Sequence, residues 1–151
     1  LVAANQLDSQ ISGPPGDLAN ANYHRRTLYG SVKRREVSEL LRLFDFPDPV
    51  AHAAQREPTI TPLQQLYVLN SPFFEQQSRA LVTDILPKQS ETQGRVIAIY
   101  QNLFQREATT AELATAEQFV ADLRSRQVNE TEAWRQYAHA LLASNEFLFV
   151  D

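Results

Sequence analysis

The residues most able to do chemistry here are three histidines, a pair of aspartates and a cluster of cations. His24, His52 and His139 are the only histidines, and no two of them stand four apart on a helix. No cysteine or close group of carboxylates accompanies them, so the spacing of a metal site is missing. His139 falls between Tyr137 and Leu141 in an apolar helical phrase, where a packed histidine is the simpler reading. Asp45 and Asp48 flank Phe46-Pro47. Two carboxylates at that spacing could share a proton or a metal, and a helix-terminating turn uses the same residue types. The four glycines are too dispersed for a phosphate-binding loop, and no Gly-x-Ser-x-Gly elbow occurs. The sequence therefore offers no catalytic residues and no metal ligands.

The cations are more suggestive. Arg25 and Arg26 follow His24, and Lys33, Arg34 and Arg35 come just after, so five of the fourteen Lys and Arg residues fall within 25–35. Guanidinium forks bind carboxylate, sulfate or phosphate in bidentate fashion, and Tyr29 offers a stacking face between the two groups. Arg25, Arg26, Tyr29, Lys33, Arg34 and Arg35 form the candidate ligand-binding set. Against this, Glu36, Glu39, Asp45 and Asp48 are near enough in sequence to neutralise the cluster as surface pairs.

Composition narrows the field. The chain has 151 residues, 43% of them hydrophobic, and can bury a core without staples. With no cysteine it carries no disulfide, zinc thiolate, thiol nucleophile or covalently attached c-type haem. A net charge of −4 and a pI of about 5.4 give no global attraction to nucleic acid, and no nucleic-acid motif occurs. No apolar run nears the roughly 20 residues that span a bilayer. No cofactor is expected in this segment.

The elements that must position these residues read as helices. Leu1 to Ile11 carries Ala4, Leu7 and Ile11 on one helical face, stopped by Gly13, Pro14 and Pro15. A helix amphipathic from its first residue, in a chain without methionine, reads as a piece cut from something longer. Residues 12–23 are a loop, and 26–33 a short extended segment with no visible partner. Val37, Leu40, Leu41 and Phe44 make a helical stripe ended by Pro47 and Pro49, and a connection runs on through Pro58. Thr61-Pro62 with Gln64 starts a short helix whose apolar positions are Leu63, Leu66 and Tyr67. Ser71-Pro72 starts a longer one, closed by Pro87. Ser90 with Gln93, Thr109 with Glu112, and Asn129 with Glu132 frame three more. The expectation is an all-α, irregular bundle of about six helices in one domain: a truncated helix and loop over 1–23, the basic segment and first helices over 24–87, and a three-helix unit over 88–151. The apolar tail Phe147-Leu148-Phe149-Val150 is expected to fold back onto it.

Several phrases resemble one family. Arg25-Arg26-Thr27-Leu28-Tyr29, then Val32-Lys33-Arg34, then Leu40 to Pro49 (LLRLFDFPDP) are similar to the planctomycete PSD-one domain, domain of unknown function 1553. So are Thr59 to Leu66, Leu69 to Phe73, Tyr100 to Leu113, and Ala140 to Asp151. One departure stands out: similar C-terminal phrases commonly read Leu-Gly-Arg-x-Pro-Thr, whereas Phe104-Gln105-Arg106-Glu107-Ala108-Thr109 lacks the glycine and the proline. The resemblance implies the C-terminal part of a large exported planctomycete protein, hence an extracytoplasmic location, with a cytochrome c-like domain often upstream. No motif here would ligate a haem. No activity carries over. The expected role is a non-catalytic structural or interaction module whose partners are the remainder of its parent polypeptide or other subunits. The alternative is a module that binds or processes anionic polysaccharide through residues 25–35.

Overall fold

The structure, a computed structural model, describes residues 1–51, 59 and 61–149. Among them the fold is all-α. The helices are α1 (Glu39–Leu43), α2 (Pro62–Asn70), α3 (Pro72–Ile85), α4 (Thr92–Phe104), α5 (Thr110–Ser125), α6 (Glu130–Leu142) and α7 (Asn145–Leu148), preceded by a 3₁₀ turn at Thr27–Tyr29. His52, Pro58, Ile60 and Val150, which enter the sequence reading, lie outside the described residues. The chain divides into two compact units, one of Leu1–Gln6 with Leu69–Asp151, the other of Leu7–Val68.

The larger unit is a helical bundle in which α3 packs most broadly against α6, and α5 against α6 and α4. Trp134, Leu81, Ile99, Val82 and Val96 are fully buried at its centre. Small residues, Ser78 on α3 and Ala133 and Ala138 on α6, are also fully buried, which lets backbones approach closely. Ser78 satisfies its own hydroxyl on the Glu75 carbonyl at 2.8 Å, so its burial leaves no orphan donor.

The helix starts follow side-chain chemistry unevenly. Thr109 and Glu112 form the expected capping box: Thr109 Oγ1 accepts from Glu112 N at 3.3 Å, and Glu112 Oε2 accepts from Thr109 N at 2.7 Å. At α6 Asn129 caps Glu132 N at 2.8 Å, but the Glu132 carboxylate turns to Arg135 and Gln136 instead. The start expected at Ser90 and Gln93 is corrected. The N-cap of α4 is Glu91, with no side-chain cap, and Gln89 gives its carbonyl to Arg95 Nε at 2.8 Å.

The helix expected over Leu1 to Ile11 does not form. Residues 2–5 make a turn, Asn5 takes a left-handed conformation with φ 52°, and Asp8 caps Gln10 N in an Asx turn. Asn and Asp side chains compete with helical bonding in this way. Of the three residues of the expected stripe, Ala4 is buried and Ile11 is exposed. The folding back of the tail holds for its described part: Phe147, Leu148 and Phe149 are all half-buried.

In the second unit, the segment around 26–33 does find a partner. Gly16 N donates to Tyr29 O at 3.0 Å and Ser31 N to Gly16 O at 2.7 Å, a parallel bridge between Gly16 and Gly30. Both glycines are required by close approach. A Cβ on Gly16 would enter the Tyr23 ring, and one on Gly30 would enter the Leu18 side chain. Helix α1 stops before either proline. Asp45 is left-handed with φ 55°, Phe46 N bonds Leu41 O at 2.9 Å and Asp45 N bonds Arg42 O at 3.3 Å, the two bonds of a Schellman ending.

Candidate functional site

The basic segment does not assemble as one site. Arg25 is half-buried and turned inward: Nη1 donates to Pro14 O at 3.1 Å, and Nη2 to Ser12 O at 2.5 Å and Gln10 O at 3.4 Å. Its guanidinium lies 4.3 Å from the centre of the Tyr29 ring. Arg25 therefore fastens the Gly-Pro loop, and the Tyr29 face it covers is already occupied by a cation of the chain itself. Both residues are thus engaged within the chain, Arg25 by loop carbonyls and Tyr29 by Arg25. The reason was invisible in sequence, because the acceptors are backbone carbonyls eleven to fifteen residues away.

The remaining four cations behave differently. Lys33 O accepts from Glu36 N at 3.1 Å, closing a turn with Arg34 and Arg35 at its two central positions. Arg26, Lys33, Arg34 and Arg35 are exposed, and none forms an ion pair among the described residues. Of the carboxylates expected to neutralise them, Glu36 and Glu39 form no ion pair among the described residues, and the two aspartates accept hydrogen bonds elsewhere. Asp45 accepts from Thr59 N at 2.6 Å and Thr59 Oγ1 at 2.9 Å, and Asp48 from Val50 N at 2.9 Å. Asp48 closes a local turn, and Asp45 ties Thr59 from fourteen residues away. Among the described residues, no three His, Asp or Glu side chains gather as a metal site would need.

Helix α2 departs in part from the expected burial: Tyr67 is half-buried and Val68 fully buried, but two of the expected apolar positions are not. Leu63 is 65% exposed, Leu66 53% and Leu69 51%, while Gln64 keeps only 6%. Gln64 is buried because its amide ties two helix ends. Its Oε1 accepts from Thr61 N at 3.0 Å, completing a capping box with the Thr61 hydroxyl at 3.3 Å, and its Nε2 donates to Leu43 O at 2.8 Å. The capping box appears in the sequence; the burial of Gln64 does not, because it follows from where the amide must reach. No Asp, Glu, Lys or Arg occurs in Pro62–Asn70.

The strongest electrostatic arrangement is in the larger unit and has no sequence signature. Arg106 uses all five guanidinium protons. Nε and Nη2 grip Glu146 at 2.7 and 2.9 Å, Nη2 and Nη1 grip Glu112 at 2.7 and 3.0 Å, and Nη1 also reaches Glu107 O at 3.0 Å. The same cation lies 5.1 Å from the Tyr100 ring centre and 5.6 Å from that of Phe104. Hydrogen bonding to Arg106 pulls the Glu112 carboxyl down to about 2 and lowers that of Glu146. Beside it, burial raises the Tyr100 and Tyr137 hydroxyls, which are hydrogen-bonded to each other. Two further pairs fasten α6: Arg95 to Glu130 at 2.6 Å, and Arg135 to Glu132, whose carboxyl is held at about 2. These groups are paired with one another.

Two of the clefts of this unit lie beside α7. One cavity of about 770 Å³ is lined by Leu103, Phe104, Asn145, Phe147 and Phe149, and another of about 480 Å³ by Leu81, Leu103, Leu142 and Phe147. No helix among the described residues is long and apolar enough to cross a membrane. A family model described as PSD1, protein of unknown function (DUF1553), matches residues 1–120. Searches of curated proteins and of solved structures return no match.

Proposed function

The chain belongs to the PSD1 family of proteins of unknown function (DUF1553), and from that premise we propose that it is a non-catalytic structural and interaction module of a larger extracytoplasmic assembly. The observation that carries this reading is α2. Helix α2 buries Gln64 and Val68 but leaves Leu63 and Leu66 at the surface, so part of its apolar side-chain set faces outward. Covering each leucine fully would contribute about 1.5–3 kcal/mol, so the face suits the rest of a parent polypeptide or another subunit. The test is a Leu63→Gln/Leu66→Gln chain. An interaction face predicts unchanged thermal stability together with reduced self-association and reduced binding of an apolar dye. A drop in melting temperature with dye binding unchanged would show that the leucines serve the fold instead.

A second reading rests on a separate observation: Arg26, Lys33, Arg34 and Arg35 are exposed and form no ion pair among the described residues. Such a group suits a sulfated or uronate-bearing polysaccharide, since guanidinium forks match those oxyanions. Binding should weaken as salt rises past about 0.1 M, where the Debye length is about 10 Å. A titration with heparin should lose its signal in an Arg34→Ala/Arg35→Ala chain, and no binding by the parent chain at low salt would dismiss this reading.

A further inference from the structure

We propose that the cleft lined by Gln77 in the larger unit is a binding site for a neutral, apolar small molecule carrying one hydroxyl group, with the Gln77 carboxamide as its polar contact. The reason begins on α3. Phe73, Gln77, Leu81 and Ile85 recur every four residues and share one helical face. That face turns inward: Leu81 and Ile85 are buried, and Gln77 keeps only 4% of its surface exposed. A glutamine in a buried stripe is normally held there by hydrogen bonds, as Gln64 is in the other unit. Gln77 has none. Its side chain makes no hydrogen bond among the described residues, and its Oε1 is shut off from solvent without a partner. Leucine would fill the position without stranding a polar group, so packing alone does not account for an amide there.

The second observation is what lies beside it. Gln77 lines the cavity of about 480 Å³, a size within the range of small-molecule sites. Its floor is buried and apolar, made by Ala4, Leu81, Leu103 and Leu142. Phe73 and Phe147, both half-buried, add aromatic walls, and the exposed Val2, Asn102 and Gln105 stand at the rim. Among the described residues no Asp, Glu, Lys, Arg or His lines it, so a charged ligand would lose its hydration without compensation. The rim amides are turned to their own helix: Asn102 Nδ2 donates to Ala98 O at 2.8 Å, and Gln105 Nε2 to Gln101 O at 3.0 Å.

These features set the chemistry of the ligand. Apolar walls without charge take a neutral hydrocarbon body. The open amide takes a group able to donate and to accept, as a hydroxyl is: its O–H donates to Oε1, or its oxygen accepts from Nε2. The last torsion of a glutamine side chain is broad, so the carboxamide turns either atom towards the ligand at little cost. Water alone is a poorer occupant. A buried water is held by about three polar groups, and the floor offers only the Gln77 amide.

The test uses the full chain with para-butylphenol and para-butyltoluene, probes of one shape that differ by hydroxyl against methyl. Calorimetric titration should show para-butylphenol binding to the parent chain. In a Gln77→Leu chain the preference should turn towards para-butyltoluene, the ratio of the two affinities changing by at least about tenfold, as loss of one buried hydrogen bond predicts. A smaller change in that ratio overturns the proposal. So does failure of para-butylphenol to bind the parent chain, the result that a cleft holding only water would give. Should the variant fail to fold, nuclear magnetic resonance of the parent chain decides: the Gln77 side-chain amide signals should shift with para-butylphenol, and signals that stay in place refute the site.

Discussion

Arg106 holds Glu146 through two parallel hydrogen bonds of 2.7 and 2.9 Å across forty residues of chain. Because the same guanidinium grips Glu112, one side chain joins the end of α4, the first turn of α5 and the start of α7. Arg106→Lys should therefore behave much like Arg106→Ala. An ammonium is a point charge and cannot serve both carboxylates and the Glu107 carbonyl in a planar fork. Both changes should lower the melting temperature by roughly 5–10 °C. A lysine chain that melts with the parent would show that charge alone suffices.

Acid should loosen the same unit. Arg106 holds Glu112 at about 2, Arg135 holds Glu132 at about 2, and Arg95 and Arg106 lower Glu130 and Glu146. Folded values below the unfolded carboxyl, about 4.3, mean stability that is present above that pH and lost as pH falls towards the folded values. These pairs are partly exposed, so the effect is screened and modest. A fall of roughly 5–10 °C in melting temperature is expected between about pH 5 and about pH 2 at low salt. In a Glu112→Gln/Glu132→Gln chain the curve should flatten across that window, and an equally steep fall there would point to other groups.

How legible these features were depends on the distance over which they act. The capping boxes at Thr61–Gln64 and Thr109–Glu112 are written in residues three apart, and both form. The stripe of Leu1 to Ile11 had the right period and failed, because Asn5 and Asp8 offered the backbone turns that periodicity does not weigh. Arg25 stood out as a member of a cation cluster, yet its partners are main-chain carbonyls that no composition reveals. Arg106 entered only inside a family-like phrase, for Glu146 is brought to it by the packing of whole helices. The missing glycine of that phrase does have a local consequence: Gln105 adopts φ 56°, the conformation glycine takes at a helix end.

Gln64 should be hard to replace by a more apolar residue. Gln64→Leu removes the acceptor for Thr61 N and the donor to Leu43 O at a position only 6% exposed. Stranding buried polar groups costs about 1–3 kcal/mol, more than the added apolar surface returns at a site shaped for an amide. Urea denaturation should show the midpoint falling with an unchanged slope. A leucine chain of equal or greater stability would mean that water replaces the amide at both helix ends.

The two left-handed glutamines should answer differently to glycine. Gln127, with φ 63°, sits at the end of α5, where Val128 N bonds Leu123 O at 3.1 Å and Gln127 N bonds Arg124 O at 3.0 Å in a Schellman ending. Its side chain is exposed and makes no hydrogen bond among the described residues. A left-handed L-residue costs about 1–2 kcal/mol, and glycine returns about 0.5–1 kcal/mol of that through its larger loss of chain entropy. Gln127→Gly should then raise stability by about 0.5–1 kcal/mol. Gln105 has the same backbone but a working side chain, whose Nε2 donates to Gln101 O at 3.0 Å at the end of α4. Gln105→Gly gives up that bond, worth about 0.5–1.5 kcal/mol at most for an exposed pair, and should come out near neutral. Gln105→Ala keeps the strain and loses the bond, so it should be the least stable of the three. Denaturant midpoints measured side by side give the order, and alanine matching glycine at 105 would remove backbone strain as the cause.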